Sequence, residues 1–197
     1  DGSPWERDTV CVVFSCTKGA SALCAHMAAD RGLLDLDAPV SRYWPEFAQN
    51  GKEDAIVSMM LDHSVGLPGI RAQLKDGAAC DYEYMVERLQ AEAPFWKPGT
   101  RHGYHGLTSA WTVGEMVHRS TGKRLGEFFA DEVAKPLGID FWIGLPEEIE
   151  PRLSKIIPGT REPGSRISIA METDPLSPAG RFVLNNGTFN ANDRKVR

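Results

Sequence analysis

The sequence has no long hydrophobic run: its longest purely apolar stretch, from Val10 to Phe14, falls far short of the roughly 18 residues that a membrane-spanning helix needs. A helical membrane span is therefore excluded. It also lacks a Gly-X-Y period and any repeat of about 20–50 residues, so its 19 glycines and 13 prolines do not point to a collagen-like, low-complexity or solenoid chain. Neither sign of charge dominates. With 22 Lys and Arg against 27 Asp and Glu, net charge −5, and no basic stripe or polybasic tail, nothing offers a footprint for nucleic acid or an anionic membrane surface. A small or neutral substrate is the class that remains. Cysteine is scarce: Cys11, Cys16, Cys24 and Cys80 form no C-x-x-C pair, and a chain of this size needs no disulfide staples. Reduced thiols and a cytoplasmic setting follow as the expectation. No signal-peptide pattern is present, and the sequence opens on Asp1 instead of Met. What is there, 197 residues of which 42% are hydrophobic and 25% charged, has the composition and size of one globular domain.

Residues 8–14, DTVCVVF, make a β-branched and aromatic run too short for a helix of its own, and read as a buried strand. Residues 15–31 are rich in Ala, Leu and Met, with Ala22, Leu23, Ala25, His26, Met27 and Ala29 crowding a helical surface before Gly32 stops it. A connection through Pro39 leads into a short helix ending near Phe47, followed by a polar turn at Gly51-Lys52-Glu53. A short apolar helix over 56–61 breaks at the Gly and Pro of residues 63–69. The period predicts a helix over 81–93 with Tyr84, Val86 and Leu89 as apolar positions, and residues 94–106 then form an exposed loop dense in Gly, Pro and His. Two more helices follow, over 107–119 and 125–135, the second stopped by Pro136 and Gly138. Residues 149–178 read as loop with fragments of strand, such as the alternating run 166–170. Finally, Phe182-Val183-Leu184 and Asn185-Asn186-Gly187-Thr188-Phe189 fit either a tight turn between apolar runs or a helix C-cap.

The most informative constellation is Ser15-x-x-Lys18, at the junction of the apolar run and the first helix. A spacing of three places both side chains on one face of the first turn, so the ammonium can approach the hydroxyl. A serine hydroxyl is a weak nucleophile, and a lysine kept neutral by burial or nearby positive charge can take its proton. The helix N-terminus adds a positive dipole end and free N–H groups for a developing oxyanion. The spacing is not unique, because Ser120-x-x-Lys123 repeats it at a helix end beside Gly122. No apolar run feeds that copy, which reads as a solvated surface.

Around Ser15, FSCTKGASALCAHMAADRGLLDLDAPVSRYWPEF resembles the first motif region of the penicillin-recognising serine hydrolases, and most resembles their family VIII carboxylesterase and class C β-lactamase-like branch. Further matches come in order. LDHSVGLPG is similar to the family's Leu-x-His-Thr-Ser-Gly-Leu-Pro loop, and PGTRHGYHGLTSAWTVGEMVHRSTGKRLGEFFADEVAKPLGI to its Pro-Gly-x-x-x-x-Tyr segment and following helices. The resemblance implies an α+β fold, β-lactamase/transpeptidase-like, in which a helical subdomain packs on an antiparallel sheet. It makes Ser15 the acyl-accepting nucleophile, Lys18 its activating partner and Tyr104 the tyrosine that shares the proton work. His105 and Gly106 would then line the substrate site.

Two departures sharpen the expectation. Tyr104-His105-Gly106 has Gly where β-lactamases of the family carry an Asn amide, which shifts weight from β-lactams toward short-chain carboxylic esters. The family's third motif, Lys-Thr-Gly or a His-x-Gly or Trp-Gly-Gly variant on a later strand, has no match before Arg197. The resemblance thus implies one hydrolase domain over 1–197 with an incomplete sheet, lacking the C-terminal strands and exposing a sheet edge or an apolar face. The partners implied are a small-molecule ester and a second chain or segment that completes the fold, with no cofactor and no metal. β-Lactamase or D-amino-acid peptidase activity is the alternative, and a catalytically inactive fragment or scaffolding protein is the alternative of another class. Of the other histidines, His102-x-x-His105 lacks a carboxylate or thiolate partner for zinc. His63 reads as a structural hydrogen-bonding residue, and His26 and His118 as ordinary packed or surface residues. Ser64 has no base spaced near it.

Overall fold

Helix α1, Thr17–Asp30, forms because its interior is Ala-rich and free of β-branched residues, and it buries Ser21, Cys24, Ala25 and Ala28 at the spacing of one helical face. These small side chains let it lie close against α4, Ser109–Thr121, with which it makes the most extensive helix pairing in the structure. The structure, a computed structural model, describes residues 4–157, 159, 164–185, 187 and 189–196. Gly32, at φ +69°, closes α1 in the left-handed conformation while the Leu33 N–H reaches back to the Ala28 carbonyl at 2.9 Å. Short helix α2, Ser58–Leu61, and helix α3, Tyr82–Ala91, also pack on α4. Asp81 caps α3 by accepting the Tyr84 N–H at 3.1 Å.

Helix α4 is the centre of the fold, with every residue from Trp111 to Val117 buried. Its one buried carboxylate, Glu115, accepts hydrogen bonds from Tyr82 Oη at 3.0 Å and Arg119 Nε at 2.7 Å. Gly122, at φ +77°, ends it. Helix α5, Leu125–Phe129, continues through a π-helical stretch, Ala130–Ala134, into the single turn α6, Lys135–Leu137. The core gathers Trp44, Phe47, Met60, Leu67, Ile70, Leu89 and Met116, all fully buried. The helix expected to end near Phe47 is two 3₁₀ turns, Val40–Arg42 and Pro45–Phe47.

The expected strand over 8–14 is not formed. Val10 makes a single parallel bridge to Leu153, its N–H on the Arg152 carbonyl at 3.0 Å and its carbonyl accepting the Ser154 N–H at 2.9 Å, while Cys11, Val13 and Phe14 are exposed. The only other bridge among the described residues joins Pro39 to Ile56, so the expected part of an antiparallel sheet is absent from them. A β-branched run becomes a strand only where a neighbour completes its ladder, and one bridge is no ladder. The alternating run 166–170 is likewise helical, within α7, Arg166–Thr173, since five residues of alternation are too few to decide the period. Helix α8, Pro178–Leu184, starts at Ser177, whose hydroxyl accepts the Gly180 N–H, and ends with Asn185 as its C-cap residue. Of the two alternatives for that region the helix C-cap is the one adopted, and Asn186 and Thr188 of the alternative turn lie outside the described residues. Among the described residues no helix is long and apolar enough to cross a membrane, and all four cysteines are free.

Asn185 ties this last helix to the core. Its buried amide accepts the Leu74 N–H at 2.8 Å and donates to the carbonyls of Ile70 and Ala72, each at 2.7 Å. Asn185→Ala strands these backbone groups without partners and is expected to cost about 2–4 kcal/mol, read as a lower urea midpoint at unchanged slope.

Candidate active site

Ser15 sits in a 3₁₀ turn, Phe14–Cys16, that runs directly into α1, so that Ser15 and Lys18 occupy one continuous turn. Phe14 enters that turn at φ +44°, a left-handed conformation uncommon for a bulky residue, and Ser15 is left exposed at the bend. Lys18 Nζ donates to Ser15 Oγ at 3.3 Å and to the Gly106 carbonyl at 2.7 Å, and lies 4.9 Å from the centre of the Tyr104 ring. Tyr104 Oη and Ser15 Oγ share a hydrogen bond of 2.5 Å. The structure therefore brings Ser15, Lys18 and Tyr104 together, the last across 89 positions of sequence.

The loop carrying Tyr104 is held along its length by the 63–66 turn. Phe95 N–H reaches the Gly66 carbonyl at 2.7 Å, Trp96 Nε1 and the Gly99 N–H both reach the Ser64 carbonyl at 3.1 Å, and the Gly103 N–H reaches the His63 carbonyl at 3.3 Å. Trp96 packs so closely on Gly103 that a Cβ there would stand 2.5 Å from its ring. Only glycine fits. His105, expected on the wall of the site, is placed elsewhere: it is 1% exposed, its Nε2 accepts the Leu67 N–H at 2.7 Å, and its Nδ1 lies 2.5 Å from the Gly103 carbonyl. Both ring nitrogens are spent on backbone, with the proton on Nδ1, so none is left for a substrate. Burial pushes its pKa down to about 4. Gly106 borders the site and contributes its carbonyl to Lys18.

Electrostatics favour the phenolate of Tyr104. The hydrogen bond with Ser15 lowers its pKa first, the bond and charge of Lys18 lower it further, and burial opposes them. His63 packs edge-on against the Tyr104 ring with centres 5.2 Å apart, and its Nδ1 accepts the His105 N–H at 3.3 Å. Ser15, Lys18, His63 and Gly106 border a cavity of about 880 Å³ that continues along Val12, Phe14 and Leu107. The second Ser-x-x-Lys pair is inert by its contacts, Ser120 Oγ donating to the Val117 carbonyl and Lys123 Nζ to Asp131 at 2.8 Å. No group of three or more metal-ligating side chains occurs among the described residues. The arrangement suits removal of the Ser15 proton by the Tyr104 oxygen, whose ionised form the neighbouring Lys18 favours.

Residues 1–182 match the family model described as Beta-lactamase. A Mycobacterium tuberculosis protein named Esterase/beta-lactamase LipL is 39% identical over 156 residues, which are 78% of this chain and 36% of that protein. Among solved structures, a penicillin-binding protein homolog from Caulobacter crescentus superposes with a TM-score of 0.86 at 29% identity, over 98% of this chain and 50% of its own. A family VIII carboxylesterase does so with a TM-score of 0.77 at 39% identity, over 80% of this chain and 44% of its own. The β-lactamase/transpeptidase-like fold is thereby shown, and the chain spans half or less of the length of these relatives.

The buried neutral His105 has a consequence for stability. Its folded pKa of about 4 lies below the ordinary value near 6.5, so as pH falls the unfolded chain takes the proton first. Its contribution is complete above about pH 6.5, declines between about 6.5 and 4, and then levels off, a loss of about 3 kcal/mol. Urea unfolding at neutral and acidic pH should show this decline in the wild type, and the share belonging to His105 should vanish in His105→Phe.

Proposed function

The chain belongs to the beta-lactamase family, and from that membership we propose that it carries the nucleophilic centre of a serine hydrolase acting on short-chain carboxylic esters. The observation that carries this reading is the 2.5 Å bond between Ser15 Oγ and Tyr104 Oη with Lys18 Nζ 3.3 Å from the same oxygen. In acylation, Ser15 Oγ attacks the ester carbonyl carbon while Tyr104 Oη takes the Oγ proton. The tetrahedral adduct then collapses, the ester C–O bond breaks, and that proton passes from Tyr104 to the departing alcohol. Deacylation repeats the sequence with water, which loses its proton to Tyr104 and releases the carboxylic acid and free Ser15. Lys18 keeps the phenolate available by its charge, and no step draws on a cofactor.

Esters are favoured over β-lactams because Gly106 offers a backbone carbonyl, already engaged by Lys18, where an Asn would offer an amide to an antibiotic's acylamino group. The name of the 39% identical relative supports esters and keeps β-lactams as the second reading. The reading treats residues 1–197 as one hydrolase unit and includes a third motif contributed by a further segment or a second chain, because no Lys-Thr-Gly, His-x-Gly or Trp-Gly-Gly element occurs among them.

A fluorophosphonate should leave one covalent adduct, located on Ser15 by peptide mass, and none in Ser15→Ala. An adduct elsewhere, or hydrolysis of a p-nitrophenyl ester unchanged in Ser15→Ala, rejects Ser15 as the nucleophile, and no adduct at all favours an inactive binding protein. Tyr104→Phe should slow acylation on the order of 10²–10⁴-fold. The wild-type rate should rise with pH as Tyr104 ionises, at a pKa below its ordinary value near 10, and then level off, and Tyr104→Phe should remove that rising limb.

A further inference from the structure

Tyr104 reaches Ser15 from a loop, and a loop hydroxyl stays within 2.5 Å of its partner only if the backbone on both sides of it is held. One residue holds both sides. The main-chain carbonyl of His63 accepts the Gly103 N–H at 3.3 Å, and His63 Nδ1 accepts the His105 N–H, also at 3.3 Å. The imidazole stands edge-on to the Tyr104 ring at 5.2 Å between centres and stacks on the His105 ring at 5.4 Å. His63 does this at φ +67°, a backbone conformation that Asn and Gly adopt at little cost and other side chains rarely adopt. Nothing in the chemistry of acyl transfer uses the ring directly, since Ser15 Oγ is met by Tyr104 and Lys18.

We infer that His63 is a positioning residue, which holds the Tyr104 hydroxyl on Ser15 by accepting the amide protons on either side of Tyr104 and by packing on its ring. Its importance to the reaction rests on the function proposed above, whereas the positioning of Tyr104 does not. The acceptor role requires Nδ1 to be unprotonated, and the surroundings favour this. Burial, then Lys18 from α1, then His102 from the 94–106 loop lower the His63 pKa, while the neighbouring Asp62 carboxylate opposes them. His105, stacked on it, is neutral in the same range because burial holds its own pKa near 4.

Two substitutions separate positioning from bulk structure. His63→Gly keeps the left-handed backbone and the main-chain acceptor but removes the ring. His63→Asn keeps the backbone and presents Oδ1 in place of Nδ1. With tyrosine labelled isotopically at Cζ, and Tyr104→Phe to assign the signal, NMR titration should give a Tyr104 pKa below 10 in the wild type and in His63→Asn, and a value back near 10 in His63→Gly. Fluorophosphonate labelling of Ser15 should slow on the order of 10²-fold in His63→Gly and recover in His63→Asn. In the unmodified chain, protonating His63 should move the Tyr104 Cζ and His105 amide signals together, a readout that needs no variant to fold.

The inference is overturned if a folded His63→Gly keeps the wild-type Tyr104 pKa, if His63→Asn behaves as His63→Gly does, or if the Tyr104 and His105 signals ignore the His63 titration. Should the wild type form no adduct while its Tyr104 pKa still depends on His63, the proposed function fails and the positioning role stands.

Discussion

The geometry of the site depends on one buried neutral imidazole. His105 accepts the Leu67 N–H through Nε2 and bonds the Gly103 carbonyl through Nδ1, which welds the 63–69 turn to the end of the 94–106 loop. Thr108, at the start of α4, adds a third point by donating to the Leu67 carbonyl at 2.6 Å. The residue before His105 supplies the phenol that meets Ser15, and the residue after it supplies the carbonyl that orients Lys18. A single ring thus sets three consecutive backbone positions, and a protonated ring would present a donor to the Leu67 N–H where an acceptor is required.

Behind that loop lies a second buried arrangement that fixes where it begins. Lys52, 1% exposed, donates to the carbonyls of Gln49 and Gln90 at 3.0 Å each and to that of Glu92 at 2.5 Å, so three backbone oxygens replace its water. Burial still lowers its pKa to about 8, against the raising influence of Glu92 and Glu53. Glu92, itself buried, takes both the guanidinium and the backbone N–H of Arg71, whose guanidinium lies 3.8 Å from the centre of the Phe95 ring. The loop therefore leaves α3 from a rigid corner and arrives at α4 against another, with Tyr104 placed just before that second corner. This is how a segment rich in Gly and Pro holds a hydroxyl to within hydrogen-bond reach of a serine on a different element.

Much of this was legible in the residues. Helices α1, α3 and α4 form close to where the period places them, α1 ending at its stop Gly32, because burial of one face and the conformational freedom of Gly act over a few residues at a time. Ser15 and Lys18 were legible for the same reason, since a spacing of three is a local property of one turn. Residues 8–14 were not, because their pattern states a preference for pairing and cannot say whether a neighbour pairs with them. By sequence Lys52 belongs to a polar turn, and only the convergence of three carbonyls from residues 49, 90 and 92 makes its burial tolerable.

The sequence by itself determined which residues could do chemistry, where the helices run, and which family the chain resembles, all properties carried by composition and short spacing. Tertiary structure alone decided that His105 turns inward as a backbone clamp while His63, the histidine with a plain structural reading, faces Tyr104 across the site. The physical reason is range. A hydrogen bond between residues 63 and 105, or between 15 and 104, costs loop entropy that only the packing of α1 and the 63–69 turn around α4 offsets, and no local pattern records that balance.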